Sequence, residues 1–160
     1  MPQGDEIRAG ERAIECPCPR DAGLIYIGRI STPWTSRLDC PRQGSLDGPI
    51  CRIEVFAPWE DALDGITDHE QLEVLYWLHA ARRDLVRQSP RGEGTPRGTF
   101  ALRSPVRPNP IGTSIVKLIG FEGTTLVVRG LDCLDGTPLL DIKPGRSVFV
   151  TSAPPGKGDG

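Results

Sequence analysis

The chain has no long hydrophobic run and no paired Cys or His residues at the spacing of a common zinc site. None of its apolar stretches approaches the ~20 residues that a membrane-spanning helix needs. Residues 1–10 are polar and partly acidic, so we expect no secretory signal and a soluble cytoplasmic protein. The chain has two histidines, and its Cys16-Pro-Cys18 spacing differs from that of the usual zinc knuckle. We therefore expect no membrane association and no metal site.

Several motifs that mark common enzyme classes are missing. The sequence has no Walker-type phosphate loop and no glycine-rich fingerprint between a strand and a helix, which argues against a doubly wound nucleotide-binding domain. It also lacks the Gly-x-Ser-x-Gly elbow and the zincin motif. The five cysteines are an odd number in a chain without a visible signal sequence, which argues against a disulfide framework.

Lysine is scarce, because 16 of the 19 basic residues are arginine. Arginine offers a planar fork for phosphate or carboxylate groups and can stack on bases. The net charge of −2 averages two opposite segments. Residues 39–73 contain nine acids and two arginines, whereas residues 82–107 contain seven arginines and two acids. A nearly neutral total therefore does not exclude an anionic partner.

Glycine and proline are abundant, with 19 and 16 residues out of 160. Both interrupt helices, so this composition favours short strands joined by turns. Short β-branched and alternating segments support an all-β fold with one or two short helices, arranged as a small, mainly antiparallel β-barrel. We expect strands at 24–30, 51–56, 72–79 (buried on both faces), 114–121, 125–130, 139–142 and 147–151, and short helices at 58–63 and 80–88.

Composition also divides the chain into three parts. Residues 1–22 are polar and interrupted by prolines, which predicts a flexible N-terminal arm. Residues 23–151 carry the strand signals and form the predicted barrel domain. Residues 152–160 have the composition of a disordered tail.

Two loops carry most of the polar side chains that could form a site. In the segment 98–112, three prolines within six residues restrict the backbone around Arg103, Arg107 and Asn109. A rigid loop lowers the entropic cost of binding, although a stiff solvent-facing turn explains the same pattern. In the segment 130–144, Asp135-Gly136 predicts a turn, and Asp132 and Asp141 could accept hydrogen bonds.

Together these segments resemble the TrmO family, also called TsaA-like or YaeB/VirR-type proteins. The resemblance runs from Tyr26 to about Pro144. It follows five landmarks in order, which are the segments 27–33, 41–43, 72–79, 98–112 and 130–144. Its most specific parts are the string Arg107-Pro108-Asn109-Pro110-Ile111-Gly112 and the later Leu131-Asp132, Asp135-Gly136-Thr137-Pro138 and Asp141-Ile142-Lys143-Pro144.

The resemblance implies a β-barrel methyltransferase that uses S-adenosylmethionine and acts as a homodimer. Its implied substrate is threonylcarbamoyladenosine, methylated on N6 beside the anticodon of a threonine tRNA. Carried over by motif position, the implied cofactor-binding residues are Pro41, Arg42, Gln43, Leu78, His79, Arg103, Asp135, Gly136, Thr137 and Pro138.

Other roles remain hypotheses. His79 is the available base for removing the N6 proton, although a histidine at a strand end is more often structural. The arginine-bearing loop suggests tRNA contacts through Arg91, Arg97, Arg107 and Asn109. Two alternatives stay open: a methyltransferase of the same fold with a small-molecule substrate, and a module that binds S-adenosylmethionine or RNA without catalysis.

Overall fold

Nine β-strands and three single-turn 3-10 helices form the regular structure of the residues described by the computed structural model, which are 6–15, 22–90 and 94–146. The strands are β1 Arg12–Ala13, β2 Gly28–Ser31, β3 Ile50–Val55, β4 Gln71–Trp77, β5 Leu85–Gln88, β6 Arg97–Gly98, β7 Ile111–Glu122, β8 Thr125–Arg129 and β9 Thr137–Pro144. The 3-10 helices are Glu60–Leu63, Ile66–Asp68 and Thr99–Ala101.

Six of the strands form a closed barrel in the order β2-β3-β8-β7-β4-β9, with β9 pairing back to β2. Every neighbouring pair is antiparallel. The three residues 122–124 between the predicted strands 114–121 and 125–130 favour a hairpin. The hairpin is present between β7 and β8, and its turn includes Gly123 at a φ of 63°. The prediction of an all-β, antiparallel barrel is therefore confirmed.

The interior of the barrel is filled by alternate residues of its strands. Cys51, Ile53 and Val55 point inward from β3, as their spacing predicts. In β4 the inward residues are also buried, but the other four are only half-buried. The prediction that this strand is buried on both faces was wrong, because one side of a closed barrel strand faces outward and none of the described residues fully covers that side.

A small second sheet lies beside the barrel, with β5 between β1 and β6. The predicted helix at 80–88 was wrong, because residues 85–88 form β5 and pair on both sides. One partner, β1, lies within the segment predicted to be a flexible arm. Ser89 also donates its backbone N–H to Glu11 and its hydroxyl to the carbonyl of Ala9. This part of the arm is therefore held against β5.

Smaller differences concern where the elements begin. The strand expected at 24–30 begins its ladder only at Gly28, and Leu24, Ile25 and Tyr26 are exposed. The helix expected at 58–63 is present as the 3-10 turn Glu60–Leu63. The predicted strand 147–151 and the predicted tail 152–160 lie outside the described residues.

Two features of the described residues bear on the class of protein. No helix there has the length and apolar character required to cross a membrane. Within the same residues, no three His, Cys, Asp or Glu side chains come together as metal ligands would.

Candidate functional site

A groove of about 1050 Å³ opens where the ends of β4 and β7 meet three loops. Its volume is at the upper end of the range of small-molecule sites. The lining comes from segments that are distant in the sequence, namely residues 37–46, 73–81, 102–107, 111–115 and 130–137. Because loops on a closed barrel are held by rigid strands, this arrangement is suited to bind a ligand.

The loop between β2 and β3 is attached to the rest of the groove at several points. Arg37 donates from Nη1 to the carbonyl of Ala80, at 3.1 Å, which connects this loop to the end of β4. Gly44 lies directly against the backbone of Gly130, where a Cβ atom would overlap the Gly130 carbonyl oxygen. These contacts place residues 37–46 opposite the segment that follows β8.

The loop carrying Arg103 is held to β5 by a buried polar cluster. The side-chain amide of Gln88 donates to Thr99 Oγ1 at 2.9 Å and to the carbonyl of Val106 at 2.8 Å. Thr99 in turn donates to the carbonyl of Leu85 at 2.6 Å. Gln88 and Thr99 are both buried. Both ends of the segment 99–106 are therefore held to β5.

The floor of the groove contains a hydrogen-bonded group of three side chains. The hydroxyl of Tyr76 lies 2.7 Å from Ser114 Oγ and donates to Asp132 Oδ1, also at 2.7 Å. The Tyr76 ring lies over Gly112, where a Cβ atom would overlap it. Burial, and then the neighbouring charge of Asp132, raises the pKa of Tyr76. The hydroxyl therefore stays protonated and remains a donor.

Two guanidinium groups at the groove are free to bind a ligand. Arg42 and Arg103 are exposed and, among the described residues, make no hydrogen bond or ion pair. Arg107 differs, because its Nη1 donates to the carbonyls of Leu102 and Ser104. Its guanidinium also lies 5.9 Å from the centre of the Phe100 ring. Arg107 therefore braces its own loop.

Seven of the ten residues predicted to bind the cofactor line this groove. They are Pro41, Arg42, Gln43, Leu78, His79, Arg103 and Thr137. The structure thus brings four separate sequence segments to one place. Their roles toward a ligand remain predictions.

The other three predicted cofactor residues, Asp135, Gly136 and Pro138, are not part of the lining. Asp135 Oδ1 accepts a hydrogen bond from the backbone N–H of Thr32 at 3.1 Å. Gly136 donates its N–H to the carbonyl of Ile30 at 2.8 Å and has a φ of 80°. Pro138 is paired with Arg29 between β9 and β2. These residues fasten the turn to β2, so their visible contribution is to shape the groove.

The residues predicted to contact tRNA are dispersed. Arg107 lines the groove but braces its loop, and Arg97 is exposed on β6, outside the lining. Asn109 is exposed and accepts a hydrogen bond from Arg83 Nη2 at 3.4 Å. Arg91 lies outside the described residues.

His79, the predicted base, lies at the edge of the groove just after β4. Its side chain is exposed, and it forms no hydrogen bond with any residue that the structure describes. A base is effective when its orientation is fixed by a partner. The imidazole therefore has access to a ligand but no orienting contact.

Sequence reasoning missed Tyr76 and Ser114 and recognised Asp132 only as one of two possible acceptors. Tyr76 sits inside an apolar run, so its pattern indicates a core position. The glycine at 112, which makes room for the ring, was the one available signal.

Comparison with known proteins identifies related chains. The family model for the tRNA-methyltransferase O N-terminal domain matches residues 29–149. The chain is 55% identical over 92% of its length to a probable S-adenosyl-L-methionine-binding protein VirR of Rhizobium radiobacter, 85% of which is covered. It is 34% identical over 82% of its length to the tRNA (adenine(37)-N6)-methyltransferase of Mus musculus, of which it covers 34%.

Solved structures show the same barrel. The crystal structure of TrmO from Pseudomonas aeruginosa matches 87% of this chain with a TM-score of 0.67 and 33% identity. A second TrmO crystal structure matches 84% of it with a TM-score of 0.68 and 34% identity. The chain spans about three fifths of the length of these solved chains, 63% in both cases. On the family match and these relatives, the chain belongs to the TrmO family, and its barrel corresponds to that family's N-terminal domain.

Proposed function

We propose that this chain is an S-adenosylmethionine-dependent methyltransferase that methylates N6 of an adenine in tRNA. The observation that carries the proposal is the groove itself, in which seven residues matched by family motif meet around one cavity. The names of its relatives support both parts, one as a probable S-adenosylmethionine-binding protein and another as a tRNA adenine-N6 methyltransferase.

The groove has the donor and acceptor groups that this cofactor needs. S-adenosylmethionine carries a carboxylate, an ammonium, a sulfonium and an adenosine. Arg42 and Arg103, which have no partner among the described residues, offer guanidinium groups for the carboxylate, and Asp132 offers a carboxylate for the ammonium or sulfonium. Leu78, Leu102 and Leu134 provide apolar surface for the adenine. The residues present therefore fit the group.

The bound cofactor supplies a methyl group already activated by its sulfonium. The chain then has to hold the two reactants in line, within ~3–3.5 Å, and to accept the proton that the acceptor nitrogen loses. The buried hydrogen-bonded pair Gln88 and Thr99 and the Gly44–Gly130 contact keep the loops around the groove rigid. His79 is the proposed proton acceptor, and loss of proton transfer typically costs 10²–10⁴-fold in rate. If His79→Ala kept full turnover and normal cofactor affinity, this role would be excluded.

The finer proposal is that the substrate is threonylcarbamoyladenosine, on the 3′ side of the anticodon of a threonine tRNA. Its support is the resemblance of the 107–112 and 135–144 strings to the family. The proposed contacts are Arg91, Arg97, Arg107 and Asn109, with Arg107 acting mainly by bracing its loop.

We further propose a cytoplasmic homodimer. Ile115, which also lines the groove, and Ile119 and Phe121 are exposed on β7 and offer apolar surface that a second copy could bury. Light scattering at micromolar concentration should give about twice the mass of the chain. A monomer mass would contradict this part of the proposal alone.

Mass spectrometry of tRNA nucleosides from cells lacking the gene tests the substrate. Methylated threonylcarbamoyladenosine should disappear and return when the wild-type gene is restored. Its persistence without the gene would overturn the substrate assignment, although not the family membership.

A non-catalytic binding module is the second candidate, because the VirR relative is named only for binding. Calorimetry with S-adenosylmethionine combined with a turnover assay on tRNA separates the two functions. Binding without turnover on any tRNA favours the module, whereas absence of binding at millimolar cofactor contradicts both.

A further inference from the structure

Asp132 is held by only one of its two carboxylate oxygens. Oδ1 accepts the hydrogen bond from Tyr76 at 2.7 Å and lies 3.5 Å from Ser114 Oγ. Across the part of the chain that the structure describes, Oδ2 accepts no hydrogen bond and no Lys, Arg or His forms a salt bridge with this carboxylate. One oxygen is thus available to a ligand in the groove.

Tyr76 fixes the direction of this carboxylate. Its side chain is almost fully buried, and its ring packs directly against Gly112 of β7. Because burial raises its pKa, the hydroxyl donates throughout the physiological range. Asp132 is therefore oriented before any ligand arrives, which reduces the entropic cost of binding.

Asp132 is half-buried and has no cationic partner in the described part of the chain, which is unfavourable for a carboxylate in the protein alone. The negative charge of Asp132 also acts on the Cys40 thiol, which precedes Pro41. The pKa of this thiol is raised first by burial and then by the charge of Asp132. The groove thus has an anionic floor and, at Arg42 and Arg103, a cationic rim. Such a separation of charges complements a ligand that carries both an anion and a cation.

We propose that Asp132, positioned by Tyr76, binds the cationic part of S-adenosylmethionine, either its ammonium or its sulfonium. This inference rests on the proposed function of the groove as the cofactor site and assigns a role to two residues that are not among the ten predicted cofactor-binding residues. Tyr76 is a positioning residue, since it acts on the ligand through Asp132.

Calorimetry with three ligands tests the inference. S-adenosylmethionine carries both cations, S-adenosylhomocysteine only the ammonium, and 5′-methylthioadenosine neither. Asp132→Asn keeps the shape and an acceptor for Tyr76 but removes the charge. We expect it to weaken S-adenosylmethionine binding roughly 10- to 100-fold, as for a lost charge-assisted hydrogen bond, and 5′-methylthioadenosine binding less than about twofold.

The affinity for S-adenosylhomocysteine identifies which cation Asp132 binds. An equal loss for S-adenosylhomocysteine assigns Asp132 to the ammonium, and an unchanged affinity assigns it to the sulfonium. Either result supports the inference. Asp141→Asn on β9 is the matched control, because Asp141 lies outside the groove and pairs with Lys143 at 2.7 Å. We expect it to leave all three affinities unchanged.

Three results would overturn the inference. One is unchanged S-adenosylmethionine affinity in Asp132→Asn, and another is an equal loss for 5′-methylthioadenosine, which would indicate general damage. In both cases the wild-type protein still binds the cofactor and the proposed function survives. If the wild type itself binds no S-adenosylmethionine, the inference and the proposed function fall together.

Tyr76→Phe tests the positioning role separately. The ring still packs on Gly112, but the donor to Asp132 is lost. S-adenosylmethionine affinity should fall by about 2- to 10-fold while 5′-methylthioadenosine affinity holds. Full retention of S-adenosylmethionine affinity would contradict the role of Tyr76.

Discussion

Gly44 and Gly130 lie backbone against backbone, and their contact joins the loop before β3 to the segment after β8. No side chain fits between them, because a Cβ on Gly44 would overlap the Gly130 carbonyl oxygen. Gly130 also has a φ of 121°, which L side chains rarely adopt. Two walls of the groove therefore depend on the absence of one methyl group.

Gly44→Ala should separate these walls. We expect a loss of about 1–3 kcal/mol in the free energy of unfolding, as for other overpacked sites, and at least a tenfold loss of cofactor affinity. Urea denaturation and calorimetry measure the two effects. Gly23→Ala is the control, since nothing lies within 4 Å of its added Cβ. If Gly44→Ala bound the cofactor normally, the contact would have no part in shaping the groove.

Gln88→Leu should release the loop that carries Arg103. The substitution leaves the part-buried Val106 carbonyl without its donor, which costs up to about 1–3 kcal/mol. We expect faster trypsin cleavage after Arg103 and weaker cofactor binding. Gln71→Leu makes the same chemical change on β4, where the side chain forms no hydrogen bond with the described residues, and should leave cleavage unchanged. Equal cleavage rates in both variants would argue against the role of Gln88.

Arg97→Gln and Arg107→Gln should affect tRNA binding in different ways. Arg97 is exposed on β6, so removing its charge should lower the slope of log K against log salt by about 0.7–0.9, the value for one phosphate contact. Arg107 holds two carbonyls of its own loop, so its loss should also reduce stability.

Filter binding of tRNA across a salt series measures these slopes. Arg29→Gln on β2 is the control. Arg29 is distant in sequence from the segment 97–107, and its guanidinium lies 3.7 Å from the carboxylate of Glu54. A slope that Arg97→Gln leaves unchanged would remove Arg97 from the tRNA surface.

The buried thiols predict a loss of stability in alkali. Burial raises the pKa of Cys51 to about 11. The pKa of Cys133 is raised to about 12, and burial is the main cause. In the unfolded chain both thiols titrate near their ordinary pKa of 9.0. Above that pH the unfolded state releases protons that the folded state keeps, so the free energy of unfolding falls as pH rises.

The expected slope is up to about 1.4 kcal/mol per pH unit for each thiol between pH 9 and 11. Urea denaturation at several pH values measures it, with Cys51→Val as the comparison because it keeps a similar volume. The variant should lose less stability than the wild type over this range. Identical slopes would show that Cys51 does not contribute.

Local sequence patterns predicted the parts of the fold that are decided locally. The alternation of Cys51, Ile53 and Val55 identified the inward face of β3, and the turn at Gly123 identified the β7–β8 hairpin. The family motifs predicted that Pro41, Leu78, Arg103 and Thr137 belong to one site, although the sequence alone gives no distances between them.

What the sequence did not predict depends on distant partners. Residues 85–88 form a strand because β1, more than 70 residues earlier, pairs with them. No local helix or strand propensity records such a partner. Tyr76 belongs to an apolar run, and its polar role follows only from Ser114 and Asp132 reaching the same place in the barrel.

Closure of the barrel by β9 and β2 also governs how copies of the chain can meet. A closed sheet exposes no row of unpaired backbone groups that could recruit a strand from another molecule. Among the described residues, the open sheet edges belong to β1 and β6, which are two residues long each. In this part of the chain, self-association therefore has to proceed through side-chain surfaces, and fibre-forming strand exchange has very little to start from.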